Sequence, residues 1–152
     1  MTIKQLSSAD EYQTAYIQVA PLRDPEEGMY PFTYWLSYAY DYSDISASKV
    51  SFDVPPRAVV LRVVHQVTEA LTGATALTIG DDSDADGWMA SGVADPSTAG
   101  DTALDYDAAY AVKGKYYSSG DTIDISFTGV VTAGSGKIFI EVLSYFEDLT
   151  DT

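Results

Sequence analysis

The chain has 152 residues and a formal net charge of −15, because 23 acidic side chains are balanced by only 8 basic ones. It contains no cysteine and a single histidine, His65, which excludes a disulfide scaffold, a thiol nucleophile and a cysteine- or histidine-rich metal cluster. The acidic balance argues against a nucleic-acid partner, since phosphate binding requires clustered lysines and arginines. This length predicts one domain with a hydrophobic core.

The N-terminal segment and the apolar runs carry no targeting or membrane pattern. Residues 1–8 contain one lysine and no apolar core, unlike a signal peptide. The longest apolar run, residues 58–64, is interrupted by Arg62 and is far shorter than the roughly 20 residues that span a bilayer. We therefore expect a protein that is made in the cytoplasm and has no membrane partner.

The strongest pattern in the chain is strand-like alternation. Between residues 32 and 42, aromatic and apolar side chains occupy the even positions, and mostly small or polar side chains occupy the odd ones. Successive side chains of a strand point to opposite faces, so this segment predicts a strand with one buried face. The side chains of this aromatic stripe are Phe32, Tyr34, Leu36, Tyr38, Tyr40 and Tyr42.

Further alternating segments predict an all-β protein. They lie at residues 15–19, 50–54, 59–67, 74–79, 123–127 and 138–142. Residues 59–67 are apolar on both faces, as in a strand that is covered from two sides. A long acidic loop excursion follows Gly80 and ends near Lys115, and the Gly-rich residues 132–136 predict a hairpin loop before the last strand. About seven or eight strands at this spacing predict a single-domain β-sandwich of the jelly-roll type.

The predicted organisation has three parts. Residues 1–20 are an N-terminal arm with the first strand, residues 21–147 are the sandwich domain, and residues 148–152 are a mobile tail.

The segment Asp82-Ser83-Asp84-Ala85-Asp86-Gly87 matches the first half of a calcium loop. The twelfth position of such a loop should be glutamate, but it is Val93, so a helix–loop–helix calcium site is not expected. Two interpretations stay open: a weak Ca²⁺ site, and a solvated acidic turn that Trp88 anchors. No other cofactor is expected. The candidate ligands are Asp82, Asp84 and Asp86, with Asp81 or Asp95 as a helper.

No motif predicts catalysis. His65 lies in an apolar strand, which is typical of a core or interface histidine. The chain has no Gly-x-Ser-x-Gly elbow, and Gly134-Ser135-Gly136-Lys137 lacks both the preceding glycine and the following hydroxyl residue of a phosphate loop. We therefore expect a protein without enzymatic activity.

Aromatic and arginine side chains are the candidates for an interface, because these residue types are favoured where proteins meet. An alternative is a carbohydrate-binding module or adhesin that uses the surface aromatics Trp35 and Trp88. The candidate interface residues are Tyr34, Trp35, Tyr38, Tyr40, Arg57, Arg62 and Trp88.

Several segments of the second half share a pattern with one protein family. The pattern runs from Pro55-Pro56-Arg57-Ala58-Val59-Val60 to Ala76-Leu77-Thr78-Ile79-Gly80-Asp81 and Gly87-Trp88-Met89. It resumes at Gly120-Asp121-Thr122-Ile123-Asp124-Ile125 and ends at Thr132-Ala133-Gly134-Ser135-Gly136-Lys137-Ile138. Over residues 55–146, the chain resembles small β-sandwich structural proteins of tailed bacterial or archaeal viruses.

The resemblance implies a role in the virion and transfers no catalytic residue. Its implied fold is a β-sandwich, often a jelly roll, and its implied roles are capsid decoration, head fibre or tail component. We expect a decoration protein on the outside of the shell, with a tail or head–tail joining component as the alternative. The expected partners are further copies of the chain, in a trimer, and the major capsid protein or another virion protein. The chain would then be made in the host cytoplasm and located in the virion.

Overall fold

Ten β-strands form the part of the chain that a computed structural model describes, namely residues 4–7, 13–17 and 31–145. A short 3-10 helix, Tyr42–Asp44, is the only helix within these ranges, so none there is long and apolar enough to cross a membrane. The predicted all-β class is confirmed. The strands are β1 (Lys4–Ser7), β2 (Gln13–Ile17), β3 (Pro31–Asp41), β4 (Lys49–Val54), β5 (Ala58–Thr72), β6 (Ala76–Gly80), β7 (Thr102–Ala103), β8 (Lys115–Tyr117), β9 (Asp121–Thr128) and β10 (Ala133–Tyr145).

The strands form two antiparallel sheets, which confirms the predicted single-domain sandwich. The large sheet has the order β1-β2-β3-β10-β5-β7, and β8 also pairs with β5. The small sheet has the order β4-β9-β6. The predicted N-terminal arm contributes two strands to the large sheet, since β1 pairs with β2 and β2 with β3. The boundaries near residues 20 and 147 and the tail at 148–152 lie outside the described residues and stay predictions, as does the jelly-roll type.

The aromatic stripe of β3 forms one wall of the core, as the alternation predicts. Leu36, Tyr38 and Tyr40 are buried, whereas Trp35 on the opposite face is exposed. The rings of Tyr38 and Phe52, which belong to different sheets, lie 5.3 Å apart. Aromatic side chains therefore join the two layers at this end of the sandwich.

The stripe ends earlier than the sequence predicts. Asp41 caps the 3-10 helix by accepting a hydrogen bond from the Ser43 N–H at 2.7 Å. The Asp44 carboxylate accepts one from the Asp41 N–H at 2.9 Å. This cap turns the chain out of the sheet, so Tyr42 is half exposed although it continues the alternation.

The Gly-rich segment before the last strand also differs from its prediction as a hairpin loop. Gly134 and Gly136 lie within β10. A Cβ atom on Gly136 would come within 2.6 Å of the Tyr40 hydroxyl oxygen. Glycine is needed here because the Tyr40 ring occupies the space of a side chain.

Strand β5 changes its buried face midway. Its pairing with β10 shifts register between Glu141 and Val142, which is the mark of a β-bulge. Before the shift, Ala58 and Val60 are buried, and after it Val63 and the residues that alternate with it are buried. Strict alternation through residues 59–67 is therefore wrong for Val59, which faces outward.

His65 follows this shift and lies fully buried between the sheets, in agreement with its interpretation as a core histidine. Its Nε2 is 2.6 Å from the Tyr40 hydroxyl, while its buried Nδ1 has no hydrogen-bond partner. Burial lowers the pKa of His65 to about 4, although the carboxylate of Asp101 acts in the opposite direction. The imidazole is therefore neutral near neutral pH.

This burial predicts an acid-sensitive stability. The unfolded chain binds a proton at His65 near pH 6.5, but the folded chain binds it only near pH 4. Between these values the unfolded state holds more protons, so the free energy of unfolding should fall as pH falls, by up to about 1.4 kcal/mol per pH unit. Urea unfolding of the wild type and His65→Gln from about pH 7 to about pH 5 measures this slope. Equal slopes in the two proteins would contradict the prediction.

Candidate interaction surface

The outer face of the large sheet carries a patch of apolar and aromatic side chains. Strand register places Leu143 between Thr33 and Val59, and Val59 is paired in turn with Tyr116. One face of a sandwich sheet is ordinarily solvated and polar, whereas on this face apolar side chains lie beside polar ones such as Thr33 and Ser37. We call the following residues the outer patch: Trp35, Val59, Arg62, Val64, Tyr116, Phe139, Glu141 and Leu143.

The centre of the outer patch is a cluster of three side chains from three neighbouring strands. Glu141 of β10 is opposite Trp35 on one side and opposite Arg62 on the other. The Arg62 guanidinium pairs with the Glu141 carboxylate, and its carbon lies 5.6 Å from the centre of the Trp35 ring. This arrangement leaves the two charges of the patch mutually neutralised and keeps the indole in a fixed place.

The register shift of β5 brings this cluster together. The extra residue on β5 leaves Leu61 half-buried and Arg62 exposed, after Val60 faced the core. Bulges commonly redirect a side chain in this way. Without the shift, alternation from Val60 would turn the Arg62 side chain into the apolar core.

Four of the predicted interface residues remain accessible. Trp35 is 38% exposed, Arg57 and Arg62 are exposed, and Tyr34 is half-buried. Arg57 lies in the turn between β4 and β5, with a left-handed φ of 59°. The structure therefore brings together Trp35 and Arg62, and the interface role of all four residues stays a prediction.

The other three predicted interface residues require a correction. Tyr38, Tyr40 and Trp88 are buried inside the chain. The Trp88 indole N–H donates a hydrogen bond to the Tyr117 hydroxyl at 3.1 Å, and its ring meets that of Tyr110 edge-on at 5.5 Å. A fully buried indole has no face on which a sugar could stack, so Trp88 cannot serve as a sugar-binding residue in the carbohydrate-binding alternative. Trp88 is buried because contacts between distant parts of the chain fold the acidic excursion back against the edge of the sheet.

The three candidate calcium ligands do not converge. Among the described residues, no group of three or more carboxylate, imidazole or thiol side chains is placed to hold a metal ion. The carboxylate of Asp82 is 3.6 Å from the Lys49 ammonium. The Asp86 pKa is raised because its carboxyl shares a hydrogen bond with Asp84. The predicted weak Ca²⁺ site therefore lacks a gathered ligand set, and the acidic turn anchored by Trp88 fits the geometry better.

The carboxylate that organises the excursion is Asp81, which is buried at the end of β6. It pairs with the Lys115 ammonium and accepts a hydrogen bond from the Tyr117 hydroxyl at 2.9 Å. It also accepts hydrogen bonds from the Ser83 N–H at 2.9 Å and the Asp84 N–H at 3.1 Å. This network joins the first residue of the excursion to the strand that ends it.

The electrostatics of the network favour its charged form. Burial by itself would raise the pKa of Asp81, but hydrogen bonds from Lys115, Tyr117 and Ser83 outweigh burial and lower it. Burial would likewise lower the pKa of Lys115, but the bond to Asp81 raises it. The Lys115 ammonium also lies 4.2 Å from the centre of the Tyr110 ring. A charged, hydrogen-bonded pair therefore fixes the excursion to the sandwich.

Sequence reasoning considered Asp81 only as a helper of the calcium site. The sequence does contain a hint of its actual partner, Lys115. Residues 63–112 contain nine acids and no lysine or arginine, so a buried acid in this stretch must find its cation outside it. The first bases after this stretch are Lys113 and Lys115. The pairing of β8 with β5 decides which of these two lysines reaches the Asp81 carboxylate.

Removal of Lys115 tests this network. Lys115→Met keeps the apolar stem but leaves the Asp81 carboxylate buried without its cation, so the free energy of unfolding should fall by about 2–3 kcal/mol at neutral pH. Because the Asp81 pKa is lowered, the wild type should keep this contribution until pH falls below about 4. Chemical denaturation measures the loss. The exposed Lys113→Met, with the same charge change, should be within about 0.5 kcal/mol of wild type, and an equal loss in both variants would contradict the assignment.

No protein-family model and no curated protein matches the chain. Three solved structures are similar to it. The cyanophage Pam1 capsid asymmetric unit has 20% sequence identity and a TM-score of 0.48, and the match covers 86% of this chain and 94% of that chain. The acidic stable capsid of Helicobacter pylori bacteriophage KHP30 has 11% identity and a TM-score of 0.46, over 79% of this chain and 99% of that chain. The capsid of Ralstonia phage GP4 has 14% identity and a TM-score of 0.45, over 86% of this chain and 91% of that chain. All three are phage capsids. At these identities and TM-scores the likeness assigns no role to any residue of this chain.

Proposed function

We propose that the protein is a non-enzymatic structural protein of a virion, and specifically a decoration protein that binds the outside of a capsid as a homo-oligomer. The observation that carries the proposal is the outer patch, an apolar surface on a chain whose net charge is −15. Contiguous exposed apolar surface marks a site of association. The proposed location in the virion is inferred from the sequence resemblance over residues 55–146.

The outer patch has the composition of an adhesive surface. Trp35 is 38% exposed and Tyr116 is 58% exposed. Tryptophan, tyrosine and arginine are the residue types that most often dominate binding energy at interfaces. Apolar area removed from water contributes ~25 cal/mol per Å² before the costs of association, and repetition over many copies multiplies a weak contact.

We infer that the occupant of the outer patch is another copy of this chain. The patch contains one cation and one anion, Arg62 and Glu141, which pair. Two copies can therefore meet there without the repulsion that their other, acidic surfaces would impose. Closed symmetry is the usual outcome of such self-association, and in the proposed trimer the outer patches of three copies would converge on one threefold axis. The acidic remainder of the surface would keep decorated particles dispersed.

The self-association is testable with one pair of variants. Phe139→Lys places an unpaired charge in the outer patch and should convert the oligomer to a monomer. Val130→Lys makes a comparable apolar-to-lysine change in the exposed turn between β9 and β10 and should leave the oligomer intact. Sedimentation equilibrium gives the mass of each variant, and circular dichroism checks that both stay folded. A wild type that is monomeric at all concentrations would exclude the second copy as occupant.

The location in the virion is tested by counting copies in purified particles. A decoration protein should appear in proportion to the shell subunits, and cryo-electron microscopy should show it on the outer surface. A tail or head–tail joining component would instead be confined to one vertex or to the tail. Quantitative mass spectrometry of intact particles separates the two. Absence of the protein from particles would overturn the proposed function.

A further inference from the structure

Within the described residues, one edge of strand β4 has no strand beside it. β4 pairs with β9, and no other strand of the described residues pairs with it. Its second edge borders a groove of about 550 Å³ between β4 and the end of β3. Open strand edges expose backbone donors and acceptors to which another strand can bind.

The register shows which backbone groups of β4 point into this groove. The Phe127 N–H donates to the Ser48 carbonyl, so Val50 and the residues that alternate with it bond to β9. Lys49, Ser51 and Asp53 therefore direct their backbone groups to the opposite edge. Two observations agree with this parity. Lys49 exchanges backbone hydrogen bonds with Ser46 at 2.9 and 3.0 Å, and the Tyr38 hydroxyl donates to the Asp53 carbonyl at 2.8 Å.

Between these two satisfied positions lies Ser51, which is exposed. By the same parity, its N–H and C=O both point into the groove, where no other described residue bonds to them. The groove also has an aromatic floor, because Tyr38, Tyr40 and Phe52 line it. A strand added here would gain backbone hydrogen bonds from Ser51 and contact with the accessible edges of these rings, which are otherwise buried in the core (Tyr38 is 9% exposed, Tyr40 3% and Phe52 6%).

The charge around the groove selects the kind of strand. The Lys49 ammonium is already neutralised, since it lies 2.6 Å from the Asp124 carboxylate and 3.6 Å from that of Asp82. Asp44 lines the groove and Asp53 lies on the strand itself, both exposed and neither paired with a described cation. The rim is therefore acidic, and it repels a second copy of this acidic chain.

We propose that this groove docks an extended, basic segment of a partner protein, which adds as a strand to the open edge of β4. The proposal goes beyond the assignment to a virion and does not depend on it. It names the chemistry of the partner: alternating apolar and basic side chains, with the apolar ones on the aromatic floor and the basic ones beside Asp44 and Asp53.

The test uses the full chain and a synthetic peptide of alternating lysine and valine, with a glutamate–valine peptide of equal length as the control probe. In ¹⁵N-labelled protein, we expect the lysine–valine peptide to shift the amide signals of residues 49–53 and to bind more weakly as salt rises. The glutamate–valine peptide should not bind. Absence of binding by the basic peptide, or equal binding of both peptides, would overturn the proposal.

Two variants of one residue test the backbone contact. Ser51→Pro removes the N–H that points into the groove and leaves the β4–β9 ladder its own bonds, so it should weaken peptide binding at least about tenfold. Ser51→Ala keeps the N–H and should bind within about twofold of wild type. A folded Ser51→Pro that binds as tightly as wild type would contradict strand addition.

A second pair of variants applies even where proline prevents folding. Asp44→Asn keeps the acceptor that caps the 3-10 helix but removes one rim charge, and it should weaken binding of the basic peptide about threefold. Asp107→Asn makes the same charge change in the exposed excursion and should have no effect. Equal weakening in both variants would show that net charge alone attracts the peptide, against a built groove. Because these assays use isolated protein, their outcome is independent of whether the chain is found in virions.

Discussion

The pairing of β10 with both β3 and β5 is the constraint on which the rest of the structure depends. β10 is in register with β3 from Ser135 to Tyr145 and with β5 from Ala133 to Leu143. Its inward side chains Ile138, Ile140 and Val142 are fully buried against the small sheet. A one-residue slip of this strand would turn these three side chains to solvent, so the core fixes the register. The same register determines which side chains meet on the outer face.

The acidic excursion depends on this frame through a few long-range contacts. Residues 81–114 carry most of the acids of the middle of the chain, and they form no regular element except β7. Asp81 and Lys115 fasten the two ends, and Trp88 enters the core between them. A highly charged loop is thus fastened to the sandwich by a buried ion pair, an aromatic anchor and backbone hydrogen bonds such as that from the Leu71 N–H to the Pro96 carbonyl.

Charge and apolar surface are separated on this molecule, and the separation connects the two functional proposals. The outer patch is neutral and apolar, which suits self-association. The groove along β4 is acidic and offers backbone hydrogen bonds, which suits an extended basic segment. The outer patch lies on the outer face of the large sheet and the groove opens beside the edge of the small sheet, so one copy could use both at once. Such a division allows an oligomer to form through one sheet and to bind a different protein through the other.

The sequence by itself determined the all-β class, the sandwich, the buried face of β3 and the core position of His65, because period-two alternation is a local property that any strand with one buried face displays. The tertiary structure alone decided the rest. The reversal of facing within β5, the burial of Trp88 and the choice of Lys115 as partner of Asp81 join residues distant in sequence, and no local pattern records them. The edge of β4 that no described strand pairs with is likewise set by the tertiary structure, because strand pairing is settled only when both sheets are assembled.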